Sequence, residues 1–226
     1  MELTWLDQRL TLLPQRAIFW HDRRTLLVAD PHFGKAATFR SAGIPIPRGT
    51  TTADLARLDA ALDATKAERL IFLGDLLHAK SGRAAATLAV IRTWRTRREQ
   101  LDVVLVRGNH DRSAGDPPIA WRFRCVKGPV QEGPFLLAHE PIDSESSYVL
   151  AGHLHPCVRL EDGIGPGMRA ACFWFGQQMA VLPSFGSFTG AHRVRPSQGD
   201  RVFAVGPDCV MEVQYGLPPR RRIAQR

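Results

Sequence analysis

Short unbroken apolar runs punctuate the chain, and five of them hand over directly to polar residues. Residues 26–29 lead to Asp30-Pro31-His32, 70–73 to Gly74-Asp75, 103–106 to the segment ending Gly108-Asn109-His110-Asp111, 135–138 to His139, and 148–151 to Gly152-His153-Leu154-His155. Runs this short and this apolar predict strands covered on both faces. The polar residues then fall at strand C-terminal ends, where the ligands of open α/β sheets gather.

Between these runs the periodicity changes. Residues 9–29 predict a hairpin turning at His21-Asp22-Arg23-Arg24, and Gly34, Gly43, Pro45 and Pro47 forbid a long helix over 34–48. Leu55, Leu58 and Leu62 share one face of a helix over about 49–65, capped by one of Thr50 to Thr52. A second helix over 84–99 turns Leu88, Ile91 and Trp94 inward and its arginines outward. This strand and helix alternation is the doubly wound pattern. Beyond Trp121 the segments 123–126, 135–138, 147–151, 157–160, 169–175, 178–182, 202–206 and 209–214, separated by Gly, Pro and Asp, predict meandering antiparallel strands. The expectation is one α/β domain over residues 1–216, a sandwich of two mixed sheets flanked by helices, followed by a loose basic tail over 217–226.

Composition narrows the classes. A chain of 226 residues with 44% hydrophobic content can bury a full core. It has no apolar stretch of the roughly 18 residues a membrane span needs, and its start lacks a basic segment followed by an apolar one, so a cytoplasmic, membrane-free protein is expected. Cys125, Cys157, Cys172 and Cys209 form no close pair and read as buried free thiols. The surplus of 30 basic over 22 acidic residues, net +8, points to a polyanionic partner such as nucleic acid.

Asp, Asn and His are the donors of a divalent cation, and mixed imidazole and oxygen ligands suit manganese, iron or zinc rather than calcium. Two such ions about 3.5–4 Å apart would activate water against an anionic phosphoester and align the attacking and leaving oxygens. Asp75, alone on its strand, is the candidate bridge. Asp30 and His32, two apart on an extended segment, would chelate one ion together with one of His153 and His155, and Asn109, His139 and the other late histidine would hold the second. His110 is then free as the acid for the leaving oxygen, with Asp111 orienting its ring.

The ordered set D-x-H, G-D, G-N-H-D, H and G-H-x-H resembles the calcineurin-like metallophosphoesterase superfamily over roughly residues 25–156. That resemblance implies Asp30, His32, Asp75 and His155 around one ion and Asp75, Asn109, His139 and His153 around the other, with His110 catalytic. The segments 29–36, 42–50 and 182–190 are similar to the bacterial ligase-associated DNA-damage-response endonucleases. This implies a manganese-dependent phosphodiesterase acting on DNA, with a ligase and a helicase as partners. Two departures from that pattern, Pro31 in place of a leucine and Ala191-His192 in place of a second glycine, remove no donor. A small phosphoester such as a cyclic nucleotide is the alternative substrate.

Other residues carry weaker expectations. Lys35 and Arg48, in or beside the Pro/Gly-rich loop, would meet substrate phosphates. His78 reads as a half-buried hydrogen-bonding histidine at the cleft edge, and His21 and His192 as structural or exposed. Trp94 and Trp121 read as core residues, with base stacking as the alternative. Residues 184–190 read as a turn or a phosphate cradle.

Overall fold

In the structure, a computed structural model describing residues 1–160 and 167–214, the apolar runs become strands of two sheets. The first sheet follows chain order: β1 (Glu2–Trp5), β2 (Gln8–Leu13), β3 (Ala17–Trp20), β4 (Thr25–Ala29), β5 (Arg69–Leu73), β6 (Asp102–Val106) and β7 (Arg124–Val126). Its first four strands are an antiparallel meander, and β4 to β7 run parallel. The predicted hairpin is therefore its last turn only, with a further turn at Arg16, whose φ is +63°. Helices α1 (Lys35–Ser41), α2 (Thr50–Thr65), α3 (Ala85–Arg97) and α4 (Asn109–Ala114) fill the connections.

The helices do not wrap both faces as the doubly wound reading expected. Strands β4 to β7 are laid down in a single direction. Right-handed crossovers in one direction deliver every connecting helix to the same face. Leu26, Val28, Leu70, Phe72, Val103 and Leu105 accordingly pack on Leu55, Leu58 and Leu62 of α2 and Ile91 and Trp94 of α3. The alternate residues Leu27, Ala29, Ile71, Leu73, Val104 and Val106 face the second sheet. Both faces of these strands are buried, which is why their sequences do not alternate; each large side chain so covered contributes about 2 kcal/mol.

The second sheet comprises β8 (Val130–Glu132), β9 (Phe135–Leu137), β10 (Tyr148–Ala151), β11 (Pro156–Leu160), β12 (Met168–Phe175), β13 (Met179–Val181), β14 (His192–Arg193), β15 (Arg201–Val205) and β16 (Val210–Val213). Its main order is β14-β11-β12-β13-β10-β9-β8, with β15 and β16 continuing from β12. It is mixed, as the expected fold class has it, although the run of segments beyond Trp121 taken alone suggested an antiparallel meander: β10 runs parallel to both β9 and β13, and β11 parallel to β14. Phe135, Leu137, Leu150, Phe173, Phe175 and Phe203 form its half of the inter-sheet core. A parallel bridge between Ala29 and Ser184 stitches the layers together at the C-terminal end of β4.

Three details depart from expectation. Arg95 of α3 turns inward, donating to the carbonyls of Trp121 (2.7 Å), Leu101 (3.1 Å) and Arg98. Cys157 and Cys172 are buried, but Cys209 is exposed. The 34–48 segment opens with the short helix α1 before its loop. The expected tail, 217–226, lies outside the described residues. Among the described residues no helix is long and apolar enough to cross a membrane.

Candidate metal centre

The parallel strands β4, β5 and β6 of one sheet and β9 and β10 of the other end at a common seam, and the polar motifs meet there. The motif backbones are not extended, as the spacing of two suggested. Asp30 (φ +51°), His32 (+45°), Asp75 (+53°), His153 (+68°) and His155 (+49°) all occupy the left-handed region. Each such residue costs on the order of 1–3 kcal/mol, a strain that persists only where surrounding contacts enforce it. Those contacts are present. The amide of His32 donates to the carbonyl of Asp75 (2.9 Å), those of Phe185 and Gly186 to the carbonyls of Ala29 and Asp30 (2.8 and 3.2 Å), and Ser184 Oγ to the Asp30 carbonyl (2.9 Å). The His153 amide donates to Asp30 Oδ2 at 2.7 Å.

Glycines precede the donors because nothing larger fits. A Cβ on Gly74 would lie 2.1 Å from His139 Nδ1, and one on Gly108 would lie 2.3 Å from Asp75 Oδ1 and 2.9 Å from His139 Nε2.

The donors form two facing groups. In the first, His32 Nε2 lies 3.3 Å from His155 Nε2, which is 3.7 Å from Asp30 Oδ2. In the second, His139 Nε2 lies 2.8 Å from Asn109 Oδ1, 3.1 Å from His153 Nδ1 and 3.5 Å from Asp75 Oδ1. Proton inventory explains this crowding. His139 Nδ1 and His155 Nδ1 point at the carbonyls of Leu73 (3.0 Å) and Gly190 (3.2 Å), so those nitrogens carry the ring hydrogens. The Nε2 atoms then present lone pairs, and in the second group that of His139 Nε2 faces the Asn109 amide oxygen and the Asp75 carboxylate, whose Oδ1 accepts only from the His110 amide at 2.9 Å among the hydrogen bonds of the described residues. Asp30 Oδ1, fully buried, has no hydrogen-bond partner among the described residues. Convergent lone pairs around buried carboxylates suit a divalent cation.

Electrostatics agree. Burial pushes the Asp30 carboxyl well above its ordinary range, and neighbouring Asp75 adds to the rise. Burial lowers His32 to about 2 and His78 and His155 to about 4, so these rings are neutral, the form in which imidazole binds a metal.

The remaining site residues fall in different places. His110, half-buried on α4, points Nδ1 at the carbonyl of His78 (2.7 Å) and has Nε2 4.0 Å from Asp75 Oδ2. Asp111 does not orient that ring. Its buried carboxylate accepts from the amides of Asp75 (2.8 Å), Leu76 (3.0 Å) and Gly108 (2.8 Å), clamping two motif turns together. His78 lies within the cleft, stacked on His110 and grouped with His32, a position its distance of three residues beyond a strand end had disguised. Lys35, half-buried, sits close enough to Asp30 and Asp75 for their charges to act on it. Arg48 is exposed in the 42–49 loop, and no hydrogen bond or ion pair among the described residues ties it to the centre. Trp94 and Trp121 are core residues. The amides of Phe185, Gly186 and Ser187 are occupied by Ala29, Asp30 and Asp54, so that turn supports the first motif rather than cradling phosphate.

Comparison with known proteins fits this geometry. A family model of calcineurin-like phosphoesterases matches residues 23–157. The crystal structure of the Pseudomonas putida nuclease MPE is 43% identical and superposes with a TM-score of 0.84, covering 94% of this chain and 99% of that one. A phosphoesterase from E. coli, Yfce, is 16% identical over 84% of this chain and 97% of its own, but its TM-score of 0.40 is too low to bear on the site. No curated protein matches the chain. The family match spans more than half of the chain and contains every donor described above: the protein belongs to the calcineurin-like phosphoesterase family and is a metal-dependent phosphoester hydrolase.

Proposed function

We propose that the protein is a dinuclear phosphodiesterase that cuts DNA in the bacterial cytoplasm, with manganese as its metal. The observation that carries the two-ion reading is the orientation of Asp75. One of its oxygens lies 3.5 Å from His139 Nε2 and the other 3.8 Å from His32 Nε2, so a single carboxylate addresses both donor groups. Asp30, His32, Asp75 and His155 would hold one cation, and Asp75, Asn109, His139 and His153 the other. Cations held by these residues would supply a nucleophilic hydroxide at neutral pH and Lewis-acid stabilisation of the phosphoester's charge.

The protein's own groups do the rest. The His78 carbonyl accepts from His110 Nδ1–H and fixes the ring so that Nε2 faces the pocket; in the imidazolium form Nε2–H gives its proton to the departing oxygen. Lys35 brings positive charge toward the anionic substrate. The DNA assignment draws on the net charge of +8 and on the likeness to a nuclease. A role in DNA-damage repair beside a ligase and a helicase draws on the family resemblance of the three segments.

Cleavage of labelled single-stranded, nicked and flapped DNA across a metal series tests the proposal, with bis-p-nitrophenyl phosphate as the small diester. Manganese-dependent DNA cleavage whose apparent affinity falls steeply with salt is expected, each phosphate contact adding about 0.7–0.9 to the logarithmic slope. Hydrolysis of the small diester with every DNA untouched would overturn the DNA assignment and leave the hydrolase.

A further inference from the structure

We propose that a row of rings leading out of the metal centre, His110, His78, Phe39 and Phe188, stacks on an unpaired nucleobase beside the phosphate being cut; this rests on the nucleic-acid reading above. His78 lies nearly parallel to His110 (4.8 Å between centroids, 25° between planes). Phe39 lies parallel to His78 (6.4 Å, 17°), and Phe188 meets Phe39 edge to face (5.4 Å, 85°). The rings come from α4, from the loop after β5, from α1 and from the 184–190 segment, so four separate stretches of chain were brought into line.

Phe188, at the outer end of the row, is 39% exposed, and it differs in this from Trp94 and Trp121, which are locked in the core. Its segment is held from behind. Ser187 donates to the buried carboxylate of Asp54 from its amide (3.2 Å) and its hydroxyl (2.5 Å), Arg57 donates to the Phe185 carbonyl, and Thr189 Oγ1 donates to the Gly186 carbonyl (3.2 Å). A ring on so fixed a backbone loses little freedom when a base covers it.

Charge completes the match. Lys35 precedes Phe39 by four residues, which places both on one face of α1, with Lys35 near enough to Asp75 and Asp30 for their charges to act on it. A cation for the phosphate beside a flat apolar ring for the base is the pairing by which single strands are held, and a base can reach such a ring only when it has left its duplex partner.

Full-length parent, Phe188→Ala and Phe188→Trp proteins would be titrated in EDTA against a fluorescein-labelled ten-nucleotide oligothymidylate and against an abasic strand of the same length, following anisotropy. Turnover of bis-p-nitrophenyl phosphate with manganese controls for folding. The expected result is an oligothymidylate Kd about tenfold weaker for Phe188→Ala and restored to within about twofold by Phe188→Trp, with abasic binding and diester turnover the same in all three. The inference is overturned if Phe188→Ala keeps the parental Kd for oligothymidylate, or if the parent binds both strands equally. A parent that hydrolyses the diester yet binds neither strand would remove the nucleic-acid reading and this inference with it, whereas a silent substitution in a strand-binding parent removes the ring row alone.

Discussion

Replacing Asp111 separates a structural clamp from a catalytic partner. Its Oδ2 accepts from the amides of Asp75 and Gly108, both at 2.8 Å, and its Oδ1 from that of Leu76 at 3.0 Å. Asp111→Ala would leave three buried donors unmet, at about 1–3 kcal/mol each, while relieving the cost of burying the carboxylate. The net loss should be about 3 kcal/mol, which for a chain of this size lowers Tm by about 6–12 °C. Asp111→Asn has one oxygen with two lone pairs. Turned toward Asp75 and Gly108 it keeps two of the three bonds and sets its own NH2 against Leu76, so about half of that loss is expected. Thermal unfolding followed by circular dichroism in EDTA gives both values. An Asp111→Ala protein that melts within about 2 °C of the parent, yet has lost turnover, would refute the clamp and return the residue to the chemistry.

Two further outcomes follow from buried polar groups. Arg95→Leu should destabilise by about 2–4 kcal/mol in urea unfolding, since the carbonyls of Trp121, Arg98 and Leu101 lose their donor; a change below about 0.5 kcal/mol would contradict its inward placement. The chelated protein should lose stability as pH falls below about 6.5. Burial holds His155 at about 4, so the unfolded chain takes up a proton that the folded one refuses, and the stability present above 6.5 is lost down to about 4, an amount of up to about 3 kcal/mol. His155→Asn should flatten that slope, and an unchanged slope would refute the assignment to this ring.

The strands at the centre were legible because burial on both faces leaves an apolar run that needs no partner to recognise, as in 70–73 and 103–106. Strand direction was not. Whether β9 and β10 run parallel depends on connections that period-two patterning does not encode, and β14 consists of His192 and Arg193, both exposed, with no apolar signal at all. The donor residues were legible by type and order, but their left-handed backbones were not, since nothing in Asp30 or His155 as a residue announces positive φ. Asp111 was misread for a related reason. Its neighbour in sequence is a histidine, but its partners are main-chain amides, which look alike at every position. Arg95 stands among arginines that do face outward, and only the carbonyls it meets set it apart.

The donor set straddles the seam between the layers. Asp30, His32, Asp75 and Asn109 follow strands of the first sheet, and His139, His153 and His155 follow strands of the second. Cations gripped from both sides would rivet the sandwich at its open end. Slippage of one layer over the other would cost coordination as well as side-chain contacts, and melting should depend on free metal as RT ln(1 + [M]/Kd). Starvation for metal would thus weaken the scaffold first at the edge where substrate enters, so that one shortage lowers turnover and resistance to proteolysis together.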